Sequence, residues 1–268
     1  MRIETTMNRK QLTIADVQTR DVLYYDPDLK KDCYVFCKDR DIDSLPALDD
    51  LKTIYKRDDK TQTFEANNIE EDRTISVTMN IFNPIMLMSF RKHPLLLVTD
   101  NEELTGVVHF ADYGKAIVSI YLYELFFEYE KALRRLLEKH GCGDEDMITY
   151  FKYKINKCKE QQTKNRYAGR IQEYGEKIEK KKRSLFEYFY FGDLIALVNH
   201  KKIAKLIDLS ELRNMIMHAH ELVNLDDQDA RDYIYSFSSF TTFFNFALEL
   251  HASYRLVKNR LTFPKSNG

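Results

Sequence analysis

The sequence predicts an α+β N-terminal domain followed by an all-α helical bundle, and three observations carry that prediction. Up to about residue 112, short β-like runs alternate with polar turn signals. Beyond that point the alternation stops and long stretches of helical grammar take over. Between Pro94 and Pro264 the chain has no proline, a gap of about 170 residues. Such a gap suits packed helices, because an interior proline removes a hydrogen bond and costs about 3 kcal/mol. The expected division is residues 1–112 and residues 113–268.

The 268 residues are enough for one large or two modest cores. A hydrophobic content of 44% and a net charge of −1 exclude general disorder and a polyelectrolyte chain. No apolar run reaches the roughly 18 residues of a membrane span. The start, MRIETTMNRKQ, lacks the apolar centre of a secretory signal, so a cytoplasmic protein is expected. Cys33, Cys37, Cys142 and Cys158 form no C-x-x-C pair, and no histidine cluster completes a zinc site with them. Reduced structural thiols and no metal are the expectation.

In the N-terminal part the β-like runs are YVF (34–36), TIY (53–55), TISVTM (74–79), LLLVT (95–99) and GVVHF (106–110). Two segments share one grammar, Arg40–Asp59 and Phe90–Asp112. Each reads as a proline opening a short strand (Pro46, Pro94), an Asp-containing turn, a second strand and an acidic helix start.

The second segment resembles the end of a CBS motif. Gly106, Val107, Val108 and Asp112 fit its Gly-apolar-apolar-Thr/Ser-x-x-Asp ending, with His109 where Thr or Ser is customary. In the first segment Thr53 stands at the Gly position, Lys56 at the Thr position and Asp59 at the Asp position. The resemblance implies a CBS-pair-like domain that binds an adenine nucleotide, with Asp59 and Asp112 receiving ribose hydroxyls. A carboxylate suits that role because it accepts two hydroxyl hydrogen bonds. A degenerate pair that only builds a dimer is the other reading.

The helical part divides into a helix from Tyr113 to His140, closed at Gly141-Cys142-Gly143, and a charged helix over about Glu145–Arg183. An aromatic helix SLFEYFYFGDLIALVNHKK follows, then Leu209–Val223, then a long helix from about Asp227 to Lys258. Residues 152–183 hold twelve Lys/Arg against four Glu, a local balance of +8. That is either a solvated helix face or a footprint for a polyanion, with Tyr153, Tyr167 and Tyr174 placed to stack on bases.

LSELRNMIMHAHELV carries the chemistry. Asp208 with Glu211 reads as a capping box that starts a helix. At 3.6 residues per turn, Leu212, Met215, Ile216 and Ala219 form the core stripe, and Arg213, Asn214, Met217 and His218 face away from it. Asn214 and His218 are i,i+4 neighbours, so the amide can orient the imidazole. An outward Met217 suggests a facing protein surface. Glu124, Glu128 and Glu130 on the first long helix are candidate polar partners.

Arg213-Asn214-x-x-x-His218 resembles the Arg-x(4–6)-His motif of HEPN-domain ribonucleases, and the likeness extends over about residues 113–260. It implies a HEPN-like bundle, a homodimer and metal-independent RNA cleavage at a composite site, with no cofactor required. His218 would move protons, Arg213 would hold the phosphate, and Asn214 would fix either partner, with His220 auxiliary. His220 also departs from the Tyr usual in one toxin subgroup of that family. A nucleotide-regulated toxin or antiviral effector would fit the combination. The alternatives are a non-catalytic nucleotide-sensing regulator and an RNA-binding module built on the basic stretch.

Overall fold

The YVF run, expected as a strand, lies inside a helix. The computed structural model describes residues 11–40, 42–48, 52–181, 189–222 and 236–263, with the side chains of 177–181 and 218–222 excepted. Its first elements are α1 (Ile14–Val17) and α2 (Lys30–Asp39). Within KKDCYVFCKD the inward residues are Tyr34 and Cys37, one helical turn apart, while Val35 and Phe36 point outward. Pro27 opens the 3-10 turn before α2, and the Asp26 carboxylate caps it by accepting from the Asp28 amide at 2.8 Å.

The chain divides into two compact units, residues 1–119 with 231–244, and residues 120–230 with 245–268. The first unit holds two three-stranded sheets. One is antiparallel, in the order β1 (Ser44–Pro46), β2 (Thr53–Asp58) and β3 (Thr63–Asn68). Pro46 closes β1 rather than opening it, and no helix starts after Asp59. Asp58 accepts from the Lys60 amide at 2.9 Å and the Thr61 hydroxyl at 2.6 Å, and Gln62 takes φ 56°, so the chain turns straight back into β3. Arg57 Nη1 then donates to the carbonyls of Cys37 (2.8 Å) and Ile42 (2.9 Å), tying β2 to the end of α2.

In the other sheet β4 (Thr74–Ser76) runs parallel to β5 (Leu95–Asp100), which pairs antiparallel with β6 (Glu103–His109). Between β4 and β5 lies α3 (Pro84–Lys92), capped by Asn83. The β5–β6 turn puts Asn101 and Glu102 at φ 48° and 70°, the two positive values a tight hairpin requires. Gly106 is required by close approach, since a Cβ there would fall 2.3 Å from Gln18 Oε1 and 2.8 Å from the Thr19 carbonyl. Thr19 and Val107 exchange backbone hydrogen bonds at that spot. The core of this half is aromatic: Phe82, Phe90, Phe110, Tyr113, Phe240 and Phe244 meet largely edge to face.

After the 3-10 turn Phe110–Gly114, α4 (Ala116–Lys139) begins. In the second unit α4 buries Leu122, Leu125, Phe126, Tyr129, Leu133 and Leu136, a 3.6-residue stripe. It ends in a Schellman motif. Gly141 takes φ 71°, Gly141 N–H bonds Glu138 O, and Cys142 N–H reaches back to Leu137 O. The Lys139 ammonium donates to the carbonyls of Arg260, Leu261 and Phe263 at the end of α9 (Phe237–Thr262), where a cation is favoured.

The charged stretch is two helices, α5 (Asp144–Lys157) and α6 (Gln161–Lys181), rather than one. A single rod would leave Phe151 and Tyr174 too far apart to share a core. Folded back at Cys158–Glu160, the two rings stack with centroids 5.7 Å apart, and Phe151 also meets Tyr167 at 5.6 Å. The aromatic helix and the final helix are described as α7 (Phe191–His200) and α9, while 182–188 and 223–235 lie outside the described residues.

Asp193, in the first turn of α7, is buried. It pairs with Arg170 of α6 and accepts from the Tyr174 hydroxyl at 3.2 Å. Burial pushes its carboxyl pKa up, against the pull of Arg170. Arg170→Ala should cost about 3 kcal/mol, because it strands a buried charge. Adding Asp193→Asn, which keeps an acceptor for Tyr174, should recover about 1 kcal/mol or more of that loss in chemical denaturation.

Candidate functional site

The site is built on α8 (Ser210–Leu222). Its start is one residue later than the capping box implies. Asp208 Oδ1 accepts from the Ser210 amide at 3.0 Å and the Ser210 hydroxyl at 2.6 Å, and the first helical bond runs from Arg213 N–H to Leu209 O. From that start, Leu209, Leu212 and Ile216 fall inward and are fully buried, as the periodicity requires. Asn214 is exposed, and Arg213 and Met217 are half-buried one helical turn apart.

Arg213 and Met217 line a cavity of about 150 Å³ together with Ile216 and, from α4, Tyr123, Phe126, Phe127 and Glu130. Of the three acidic candidates on α4, the cavity wall includes Glu130. Its carboxylate is held one turn back by Arg134 at 2.5 Å, so it lies in a fixed orientation. Tyr123 and Phe127 carried no functional reading in the sequence, where they were two more aromatics in an aromatic-rich helix. The arrangement places a guanidinium and a carboxylate on the wall of an aromatic-lined recess. Such a wall can grip a phosphate through the guanidinium and accept N–H or O–H donors through the carboxylate.

Met217 faces α4 of its own unit, so its outward position on the wheel does not by itself require a second subunit. His218 and His220 follow on the same helix, but their side chains lie outside the described residues.

The basic stretch is partly structural. Arg170 is committed to Asp193, and Tyr174 is fully buried and unavailable for base stacking. Tyr153 is half-exposed, with its ring 4.9 Å from that of His200.

In the first unit, Asp59 sits in the β2–β3 turn, where it accepts from the Tyr34 hydroxyl at 3.1 Å and pairs with Arg57 at 3.0 Å. Asp112 lies in the 3-10 turn after β6. It accepts from the His109 amide at 2.7 Å and pairs with Lys115 at 2.9 Å. His109 does the work of a capping hydroxyl: its Nδ1 accepts from the Ala111 amide at 3.2 Å. Both carboxylates are therefore engaged by chain neighbours.

Elsewhere in this unit His93 Nε2 lies 2.9 Å from Asp72 Oδ1 and 3.6 Å from Glu70 Oε2. Among the described residues this is the one group with metal-ligand geometry, and no helix is long and apolar enough to cross a membrane. No protein-family model, no curated protein and no solved structure matches the chain.

The capping role of His109 requires a neutral ring, and burial lowers its pKa despite the nearby Asp112 and Asp43. With the folded pKa below the unfolded one, the unfolded chain takes up the proton first as pH falls. The contribution is thus complete above about pH 6.5 and lost as pH falls from there through the folded value. His109→Thr, which caps without titrating, should flatten the decline of the thermal midpoint between about pH 7 and pH 5.5.

Proposed function

We propose that the chain is a metal-independent endoribonuclease of HEPN type whose Arg213, Asn214 and His218 act on RNA at a homodimer interface. The observation that carries this reading is the half-buried Arg213 on the wall of an aromatic recess, one residue before the exposed Asn214. Of the motif helix's apolar stripe Leu212 and Ile216 are buried and Met215 is half-buried, which leaves Arg213 and Asn214 off the core side. A second surface against this face is supported by Ile120, Tyr123 and Phe127. Tyr123 and Phe127, which line the recess, are 42% and 56% exposed, and Ile120 on the same helix is 45% exposed.

RNA supplies its own nucleophile. His218 accepts the proton of the 2′-hydroxyl as its oxygen attacks phosphorus, or donates one to the departing 5′-oxygen, with its counterpart on the partner subunit serving the other step. Arg213 holds the non-bridging oxygens and stabilises the charge that develops on them. The products are a 2′,3′-cyclic phosphate and a 5′-hydroxyl. Asn214 orients the imidazole or the phosphate, and His220 is auxiliary.

In the first unit, the strand after Pro94, the tight turn at Asp100–Glu103, the Gly106 strand and the Asp112 turn follow the order of a CBS motif. That order supports a CBS-like sensor of adenine nucleotides. The first segment supports it less, because β3 stands where the helix start belongs. Nucleotide binding at Asp59 or Asp112 would have to displace Tyr34 and Arg57, or Lys115.

RNA incubated with the protein in EDTA should be cleaved to cyclic-phosphate ends. Arg213→Ala and His218→Ala should each lower the rate by at least about a hundredfold while the inward stripe keeps α8 folded. Intact RNA at high protein concentration, with and without adenine nucleotides, counts against the reading, and so does full activity in both variants.

A further inference from the structure

We propose that Glu70, Asp72 and His93 form a binding site for a divalent transition cation of the zinc class. The proposal is independent of the ribonuclease reading. The one potential ligand atom that each residue offers lies within 4.8 Å of the other two. Four-coordinate zinc with bonds of about 2.0–2.1 Å sets neighbouring ligand atoms roughly 3.3 Å apart. The two separations from His93 Nε2, 2.9 Å to Asp72 and 3.6 Å to Glu70, bracket that spacing.

The fold brings the three together through strand pairing. Glu70 and Asp72 stand at the 3-10 turn just before β4, and His93 closes α3 just before β5. β4 and β5 are parallel neighbours, with Thr74 beside Leu97, so the residues preceding the two strands converge. The His93 ring is only 14% exposed, and its backbone amide is fixed by the Ser89 carbonyl at 2.8 Å. Nε2 faces both carboxylates.

A partly buried imidazole with two carboxylates is a nitrogen-and-oxygen donor set without thiolate. It suits zinc better than magnesium, which takes oxygen ligands and keeps its waters. The charged groups around it are Lys92, whose ammonium bonds the second Asp72 oxygen, and Arg73, which lies close enough to Glu70 to feel its charge. Lys92 is thus a competitor. Binding a cation exchanges the His93–Asp72 hydrogen bond for two metal bonds, with the Nε2 proton moving to Nδ1 or leaving to solvent. The bound ion would clip the entry to β4 onto the entry to β5.

Titration calorimetry of the full chain with zinc chloride tests the site. One equivalent is expected to bind saturably, with magnesium giving no heat. His93→Gln and Asp72→Asn should each weaken zinc by at least about tenfold. Lys92→Met, which removes the competing ammonium and no ligand, should tighten it by about tenfold. Three results overturn the proposal: no saturable binding, unchanged affinity in both ligand variants (which would put zinc elsewhere on the chain), or no gain with Lys92→Met.

Discussion

In the second unit everything rests on α4 carrying more apolar surface than one core can take up. Its inward stripe meets Phe191 of α7 through Phe126 and Tyr129, and Tyr129 also meets Tyr254 of α9. At about 1.5–3 kcal/mol for each large side chain buried, that stripe commits the helix to one rotation about its axis. Once the rotation is set, Ile120, Tyr123 and Phe127 are left on the outer edge. α8 is held by its own stripe and can cover that edge only in part. The recess around Arg213 is the remainder of that packing.

Charge is used in two ways in this unit. Lys139 serves the end of α9 from outside, supplying hydrogen to three carbonyls that the helix cannot satisfy itself. Arg170 and Asp193 form a partly buried pair, and burial opposes the charge on Asp193 more strongly than Arg170 supports it. Such a pair is a weak source of net stability but a strict constraint, because each partner is costly without the other. With the Tyr174 hydroxyl on the same carboxylate, it ties α6 to the first turn of α7.

The inward face of α8 was legible in the sequence because thirteen residues of clean periodicity leave little choice of rotation. YVF was not, since three apolar residues show no period and their helical spacing emerges only with Cys33 and Cys37. β3 escaped notice because TFEANN is almost wholly exposed and has no apolar alternation to read. The break between α5 and α6 carries neither glycine nor proline, and its cause is the stacking of Phe151 on Tyr174, a contact between distant residues. The capping role of His109 was not legible, since the lone pair that accepts from the Ala111 amide depends on ring orientation. Glu70, Asp72 and His93 are separated along the chain and meet only through parallel strand pairing, which no local spacing announces.

The aromatic core of the first unit has a bearing on how the chain is made. Phe90, Phe110 and Tyr113 leave the ribosome more than a hundred residues before Phe240 and Phe244, which close over them. The N-terminal sheets must therefore persist with an open aromatic face while the whole helical segment is synthesised. Such long-range closure slows folding and ties completion of the first unit to synthesis of residues 237–244. A truncated product from an interrupted message would keep the strands yet expose this face, which marks it for chaperones or proteolysis. Chain order alone thus makes the first unit wait for the segment that follows the helices.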